Sequence, residues 1–194
     1  MRPFTTVLLA SLCCASSALG QSAPASSCTD VAADSTHPVL REIDAQYGKL
    51  ADAMRARDVD AVFALYTPDY HVVMPGGELW SRERSLAYQR NALARVRETH
   101  HIGNTILHLV VCGDRATATV LQQWYRTQLV DDTPRRVESN AVQDEIWTHT
   151  AQGWKRGDIK EIRHGASFVD GKRIDIRKPY DPSAPPYDPY ARRP

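Results

Sequence analysis

The sequence lacks an excess of either charge and has few cysteines and glycines. Its 194 residues include 24 lysines and arginines, 23 aspartates and glutamates, four cysteines and 10 glycines. A chain so close to neutrality has no overall electrostatic attraction to nucleic acid or to an anionic membrane. After the first 20 residues, no apolar run approaches the roughly 20 residues that span a bilayer. We therefore expect neither nucleic acid nor membrane as a partner.

Several motifs for metal binding and catalysis are also missing. No two histidines have the helical spacing of metal ligands, and the adjacent His100 and His101 would point to opposite faces of a strand. No serine lies in a Gly-x-Ser-x-Gly turn, and no glycine-rich loop suits a phosphate. The sequence therefore predicts no metal ion, no cofactor and no nucleophilic triad.

Residues 1–20 have the features of a secretory signal. Arg2 precedes an apolar stretch at 4–12, and small residues lead up to Gly20. This order predicts cleavage near Gly20 and a periplasmic or secreted protein. With 24 basic and 23 acidic residues in the whole chain, the loss of Arg2 brings the formal charge from +1 to 0.

Two cysteines, Cys28 and Cys112, would remain after this cleavage. An oxidising compartment would allow them to form a disulfide. Alternatively, Cys112 is a small buried hydrophobe in an apolar strand. The sequence leaves both possibilities open.

The mature chain divides into a leader, a folded region and a tail. Residues 21–37 are rich in Ser, Ala and Asp without periodicity, which predicts a flexible leader. Apolar spacings of three and four predict a helix over 40–54, while Asp58 and Ser81 are suitable caps for two more. Strand patterns follow at 70–74, 106–112, 115–129, 135–150 and 154–164. Residues 169–194, rich in proline, predict an extended tail.

Helices first and long strands after them are typical of an α+β protein with an antiparallel meander. Short motifs along this region also occur in the same order in a known family. They are Arg57 with Asp58, Leu65 with Tyr66, Asp69 with Tyr70, Pro75 with Gly76, and Gly153 with Trp154 and Lys155. Over residues 38–168 the chain resembles the nuclear transport factor 2-like superfamily, and within it the SnoaL-like domains and secreted bacterial members.

The resemblance implies a cone-shaped α+β barrel, in which three N-terminal helices pack on a strongly curved antiparallel meander sheet. An apolar pocket would lie between the sheet and the first helix. Strand alternation and the helix stripe then select the lining residues. These are Tyr47, Leu50, Met54, Tyr70, Val72, Met74, Val142, Asp144 and Ile146.

The ketosteroid isomerases of this fold use a general-base aspartate, a tyrosine donor and a neutral aspartate. The resemblance places these three groups at Met74, Leu50 and Asp144. A thioether cannot abstract a proton, and an isobutyl group cannot donate one. We therefore do not expect isomerase chemistry by this mechanism.

Asp144 is the one polar group of the three that is kept. If it were buried beside Val142 and Ile146, it could act as acid, base or hydrogen-bond donor, with Tyr47 as a phenol donor. In the alternative interpretation, Asp144 pairs with an arginine and Tyr47 belongs to the core.

A polar and aromatic stretch at residues 123–126, together with Trp147, is a candidate surface patch. Proteins of the resembled family commonly dimerise through the sheet, so this patch would suit a homodimer interface. Alternatively, these residues pack under the third helix or under the tail.

The sequence favours an exported domain that binds a small apolar molecule in the cone pocket. One alternative is a general acid–base enzyme of the isomerase, dehydratase or cyclase type that uses Asp144. Another is a dimeric interaction subunit without catalysis.

Overall fold

The computed structural model describes residues 27–33 and 36–190. Within them three helices form, α1 (Pro38–Ala56), α2 (Val59–Ala64) and α3 (Arg82–Arg95). The strands are β1 (Cys28–Val31), β2 (Tyr66–Val73), β3 (Leu79–Ser81), β4 (Val96–Cys112), β5 (Arg115–Val130), β6 (Thr133–Thr150), β7 (Gly153–Val169) and β8 (Lys172–Ile174). None of the described helices is both long and apolar enough to cross a membrane. The predicted signal segment, residues 1–20, lies outside the described residues.

Local signals set the helix ends, as predicted. The carboxylate of Asp58 accepts a hydrogen bond from the backbone amide of Ala61 at 2.9 Å and so caps α2. The hydroxyl of Ser81 caps α3 by accepting from the backbone amide of Arg84 at 3.3 Å. Between α1 and α2, Arg57 has a φ of 58°, a left-handed conformation that ends α1 and reverses the chain. The three predicted helices are confirmed.

The described strands form one curved sheet in the order β1-β4-β5-β6-β7-β2-β3, with β8 paired to β7. Strands β4 to β7 are 16 to 18 residues long and antiparallel, which confirms the predicted meander. Register shifts along β4 and β7 mark bulges that bend the sheet. However, β2 pairs with β7 in parallel, Val72 opposite Ile159, which a purely antiparallel sheet does not contain. The chain leaves β2 through β3 and α3 before it enters the meander, so β2 can join the free side of β7.

Helix α1 lies on the concave face of the sheet, against β4 and β7. On β5, Ala116, Ala118 and Val120 are buried in the same core cluster as the apolar stripe of α1. Their neighbours Thr117 and Thr119 project to the outer face, because successive side chains of a strand point to opposite sides. Small residues on the concave face allow α1 to approach closely. Because each residue of β6 lies beside its partner on β5, the alternation along β5 also shows which face each residue of β6 occupies.

The structure corrects the predicted leader. Part of it, Cys28–Val31, forms β1 and pairs antiparallel with the end of β4, Cys28 opposite Cys112 and Val31 opposite Leu109. Val31 is buried in the core. The segment has no strand pattern of its own, but the open edge of β4 supplies backbone hydrogen bonds.

The sheet also extends beyond the domain boundary predicted at residue 168. Asp170 and Gly171 both have positive φ and form a tight turn, after which β8 runs back along β7. The proline-rich segment that follows is held to the sheet. The backbone amide of Tyr187 donates to the carbonyl of Arg173 at 2.8 Å, and the Lys172 ammonium donates to the carbonyl of Pro182 at 2.9 Å.

Cys28 and Cys112 form a disulfide, with the two sulfurs 2.00 Å apart. The two residues lie directly opposite each other in the β1–β4 register. The bond decides between the two interpretations of the cysteines and joins positions 84 residues apart in the sequence.

Removal of this disulfide should lower stability, because it releases a long loop in the unfolded chain. We expect the double variant Cys28→Ser and Cys112→Ser to lose about 2 to 5 kcal/mol of unfolding free energy. Urea denaturation measures the loss, and the wild type with reductant should match the variant. Equal stability of the oxidised wild type and the variant would contradict the prediction.

Candidate functional site on the concave face

Strand β6 presents Gln143, Glu145 and Trp147 to the concave face. Glu145 lies opposite Ala118 and Trp147 opposite Ala116, both of which are buried in the core. The predicted lining of the pocket by alternate residues of β6 therefore had the wrong face. Val142, Asp144 and Ile146 lie on the outer face, opposite Leu121, Thr119 and Thr117.

Asp144 forms its contacts on that outer face. Thr119 donates its hydroxyl hydrogen to one carboxylate oxygen of Asp144 at 2.7 Å, and Arg163 Nε donates to the other at 2.7 Å. Arg163 also pairs with this carboxylate through Nη2. The alternative in which Asp144 pairs with an arginine is thus the one observed.

Glu145, which the sequence reasoning did not select, lies at the centre of a buried network. Its side chain is 0% exposed. Tyr47 donates its phenol hydrogen to Glu145 Oε2 at 2.7 Å, and the Trp147 indole donates to the same oxygen at 3.0 Å. The side-chain amide of Gln143 donates to Oε1 at 2.6 Å. Each carboxylate oxygen of Glu145 therefore accepts at least one hydrogen bond from another side chain.

Arg156 on β7 balances the charge of Glu145. Its side chain is 2% exposed, and its Nε lies 3.0 Å from Glu145 Oε2, although the N–H is not aligned for a hydrogen bond. Nη1 donates to the phenol oxygen of Tyr66 at 3.1 Å. The guanidinium carbon also lies 5.1 to 5.7 Å from the ring centroids of Tyr47, Tyr66 and Trp147. The cation is thus enclosed by aromatic faces and one carboxylate.

The burial of this network sets its protonation states. Burial alone would lower the pKa of Arg156, but the Glu145 carboxylate and the neighbouring phenols of Tyr66, Tyr47 and Tyr70 together outweigh burial and hold that pKa above its ordinary value. Burial, and after it the charge of Glu145, raise the pKa of Tyr47 well above its ordinary value. Tyr47 therefore stays a neutral donor to a charged ion pair. Because its partner is Glu145, it does not act together with Asp144.

The remaining predicted lining residues pack as core. Tyr70 and Val72 face inward, as the alternation predicted, and are buried with Leu50 and Met54. Met74, at the end of β2, is only half-buried. Among the residues that were predicted to line a pocket, Met74 is therefore the one that borders an open groove.

This concavity is a groove of about 360 Å³ at the mouth of the cone, between the turn after β2 and strand β7. Met74 and Ile162 are half-buried within it and pack against the core, whereas Lys160 and Glu161 are exposed at its rim. Gly76 has a φ of 110°, which only glycine adopts readily, so the turn can fold tightly beside β7. A smaller depression of about 170 Å³ adjoins the groove and shares Val73 and Lys160 with it.

A second polar region lies farther along the concave face, on β5. Trp124 and Arg126 follow Val120 at even spacing on a strand without bulges against β6, so both face inward. The guanidinium carbon of Arg126 lies 3.8 Å from the centroid of the Trp124 ring. The predicted surface patch is therefore wrong for Trp124, Arg126 and the buried Trp147. Strand alternation counted from Val120 could have shown this for β5.

Replacement of Glu145 should destabilise the fold strongly, because it leaves Arg156 buried without its counter-charge. We expect Glu145→Gln to lower the free energy of unfolding by about 3 to 5 kcal/mol. Glu161→Gln is the control, since that side chain is 65% exposed, and its effect should stay within about 0.5 kcal/mol. Urea denaturation of both variants measures the difference. Similar stabilities of the two variants would contradict a dominant role for the ion pair.

Comparison with known proteins supports this description of the fold. A family model described as a SnoaL-like domain matches residues 48–162. No curated protein matches the chain. A candidate dehydratase of the nuclear transport factor 2-like family from Streptomyces avermitilis is 19% identical and covers 65% of this chain and 97% of its own, with a TM-score of 0.52. A protein from Kribbella flavida is 18% identical and covers 64% of this chain and 90% of its own, with a TM-score of 0.54.

At such identities these structures show a common fold and not a common activity. The family model, in contrast, matches the sequence over more than half of the chain. The helices, the curved meander and the concave face follow the architecture that the resemblance implied. The chain therefore belongs to the SnoaL-like domain family.

Proposed function

We propose that the domain is exported and binds a small, largely apolar molecule in the groove at the mouth of the cone. The observation that carries this proposal is the groove of about 360 Å³ whose floor, Met74 and Ile162, is continuous with the core. Its volume lies within the range of ligand sites, about 300 to 1,000 Å³. Apolar floor and charged rim together suit a molecule with an apolar body and one polar end.

The filled interior restricts where this ligand can lie. Behind the groove, Tyr70 and Val72 are buried, and the Glu145–Arg156 pair occupies the space beneath α1. A ligand would therefore lie against the mouth rather than deep in the cone. This position differs from the central apolar pocket of the sequence-based hypothesis.

Catalysis by Asp144 and Tyr47 together has less support than binding. The two side chains lie on opposite faces of β6, because Tyr47 contacts Glu145 while Asp144 contacts Arg163. A substrate on the concave face would meet neither as a free acid or base. Export has support from the Cys28–Cys112 disulfide, since such bonds persist in oxidising compartments.

Nile red, a neutral dye whose fluorescence rises in apolar surroundings, tests the groove. We expect the wild type to bind it and Met74→Lys to weaken binding about tenfold, because a charge on the floor would have to be desolvated. Fluorescence titration measures the affinity, and thermal unfolding verifies that the variant is folded.

Ile176→Lys is the matched control, since Ile176 is an apolar side chain that is 62% exposed outside the groove. This variant should bind the dye as the wild type does. Equal affinity of all three proteins would overturn the assignment of the ligand to the groove.

A second proposal concerns the outer face of the sheet, where two copies of the chain would pair. Leu121 and Val142 lie opposite each other on β5 and β6, on the face away from α1, and Phe168 on β7 lies on the same face. All three are half-buried apolar side chains. These three apolar side chains on one sheet face, here called the strip, suit a second copy of the same face.

Val142→Glu should disrupt such a dimer. A two-fold interface contains the same residue from both copies, so two glutamate charges would lie in it and repel each other. Light scattering after size exclusion should give twice the chain mass for the wild type and a single chain mass for the variant. Ile176→Glu, outside the strip, should remain dimeric. A monomeric wild type would exclude this dimer.

A further inference from the structure

Arg126 is a buried cation without an anionic partner among the described residues. The residue is only 8% exposed. Its Nε donates to Gln128 Oε1 at 2.6 Å, and its Nη1 donates to Ser139 Oγ at 3.0 Å and to the Trp124 carbonyl at 3.3 Å. These acceptors are all neutral. The guanidinium is therefore held in place, but its charge is not compensated.

Two other arginines on the concave face, in contrast to Arg126, each have an acidic partner. Arg156 is paired with Glu145, and Arg135 with Asp170 at 2.8 Å. Without such a partner, burial lowers the pKa of Arg126 to about 10. The protein thus keeps a desolvated charge at a cost that a bound anion would offset.

The neighbouring indole has an unmet hydrogen bond of its own. Trp124 Nε1 is buried and has no hydrogen-bond partner among the described residues. Buried polar groups in folded proteins are rarely left so, and each one needs an explanation. The guanidinium of Arg126 and the indole of Trp124 thus provide one charged and one neutral donor. The guanidinium carbon and the centroid of the indole ring lie 3.8 Å apart.

The chemistry of these donors selects the ligand. A planar guanidinium forms strong charge-assisted hydrogen bonds with carboxylate and phosphate oxygens, and an indole N–H also donates to such oxygens. The half-buried ring of Trp124 offers apolar contact for the body of the molecule. Inorganic anions could accept from both donors, but they have no apolar body to use this contact.

We propose that Arg126 and Trp124 form a recognition point for the carboxylate of a small organic acid on the concave face. The site does not depend on the groove at Met74, and its function is to discriminate an acid from its neutral analogues. Ser139 and Gln128 are positioning residues, because they fix the guanidinium and leave Nη2 without a partner among the described residues.

Calorimetric titration with 4-phenylbutyrate and its neutral amide, 4-phenylbutyramide, tests this site. We expect the wild type to bind the acid about tenfold or more tightly than the amide. Arg126→Gln should remove this preference, chiefly by weakening the binding of the acid, whereas Arg126→Lys should retain part of it. Arg135→Gln is the control and should keep the full preference, because Arg135 already has a carboxylate partner.

Three results would overturn the proposal: equal binding of acid and amide by the wild type, an undiminished preference in folded Arg126→Gln, or no binding of either probe at millimolar concentrations. Inorganic phosphate that binds as tightly as the acid would overturn the assignment to an organic ligand. Nile red binding reports on the groove in the same variants, so failure there and failure here are separate outcomes.

Discussion

The ion pair between Glu145 and Arg156 is the constraint on which the interior depends. It joins β6 to β7, and through the phenols of Tyr47 and Tyr66 it reaches α1 and β2. Two buried charges can move apart only slightly, because an unpaired charge has a large free-energy penalty where the dielectric constant is low. The pair therefore fixes where α1 lies on the sheet.

This constraint divides the concave face into two chemically different regions. Beneath α1 the charges are balanced and each oxygen of Glu145 has a donor, so the region is closed to ligands. Farther along β5, Arg126 has a fixed position and no counter-charge among the described residues. The groove at Met74 is a third environment, apolar at its floor and open at its rim. The two proposed binding functions correspond to the uncompensated cation on β5 and to the open groove at Met74.

The sequence predicts the parts of the fold that local interactions determine. The stripe of α1, the caps Asp58 and Ser81, and the meander all follow from spacing over a few residues. Which face of β6 points inward does not follow from such spacing. Alternation places Asp144 and Glu145 on opposite faces, but it does not say which of them faces the core. That choice depends on Arg156, eleven residues from Glu145 across a turn and one register shift. An apolar pattern favoured the side with Val142 and Ile146, whereas the buried arginine required a carboxylate inside.

The short strands at the two ends of the sheet have a consequence for the behaviour of the protein in solution. A long exposed edge such as that of β4 can recruit strands from other molecules and start aggregation. Here β1 covers the end of that edge, and β3 lies along β2 at the opposite side. Strand β1 has four residues, and both the Cys28–Cys112 bond and the buried Val31 hold it on this edge. The covalent link thus protects this end of the β4 edge against edge-to-edge pairing with other chains, as well as stabilising the fold.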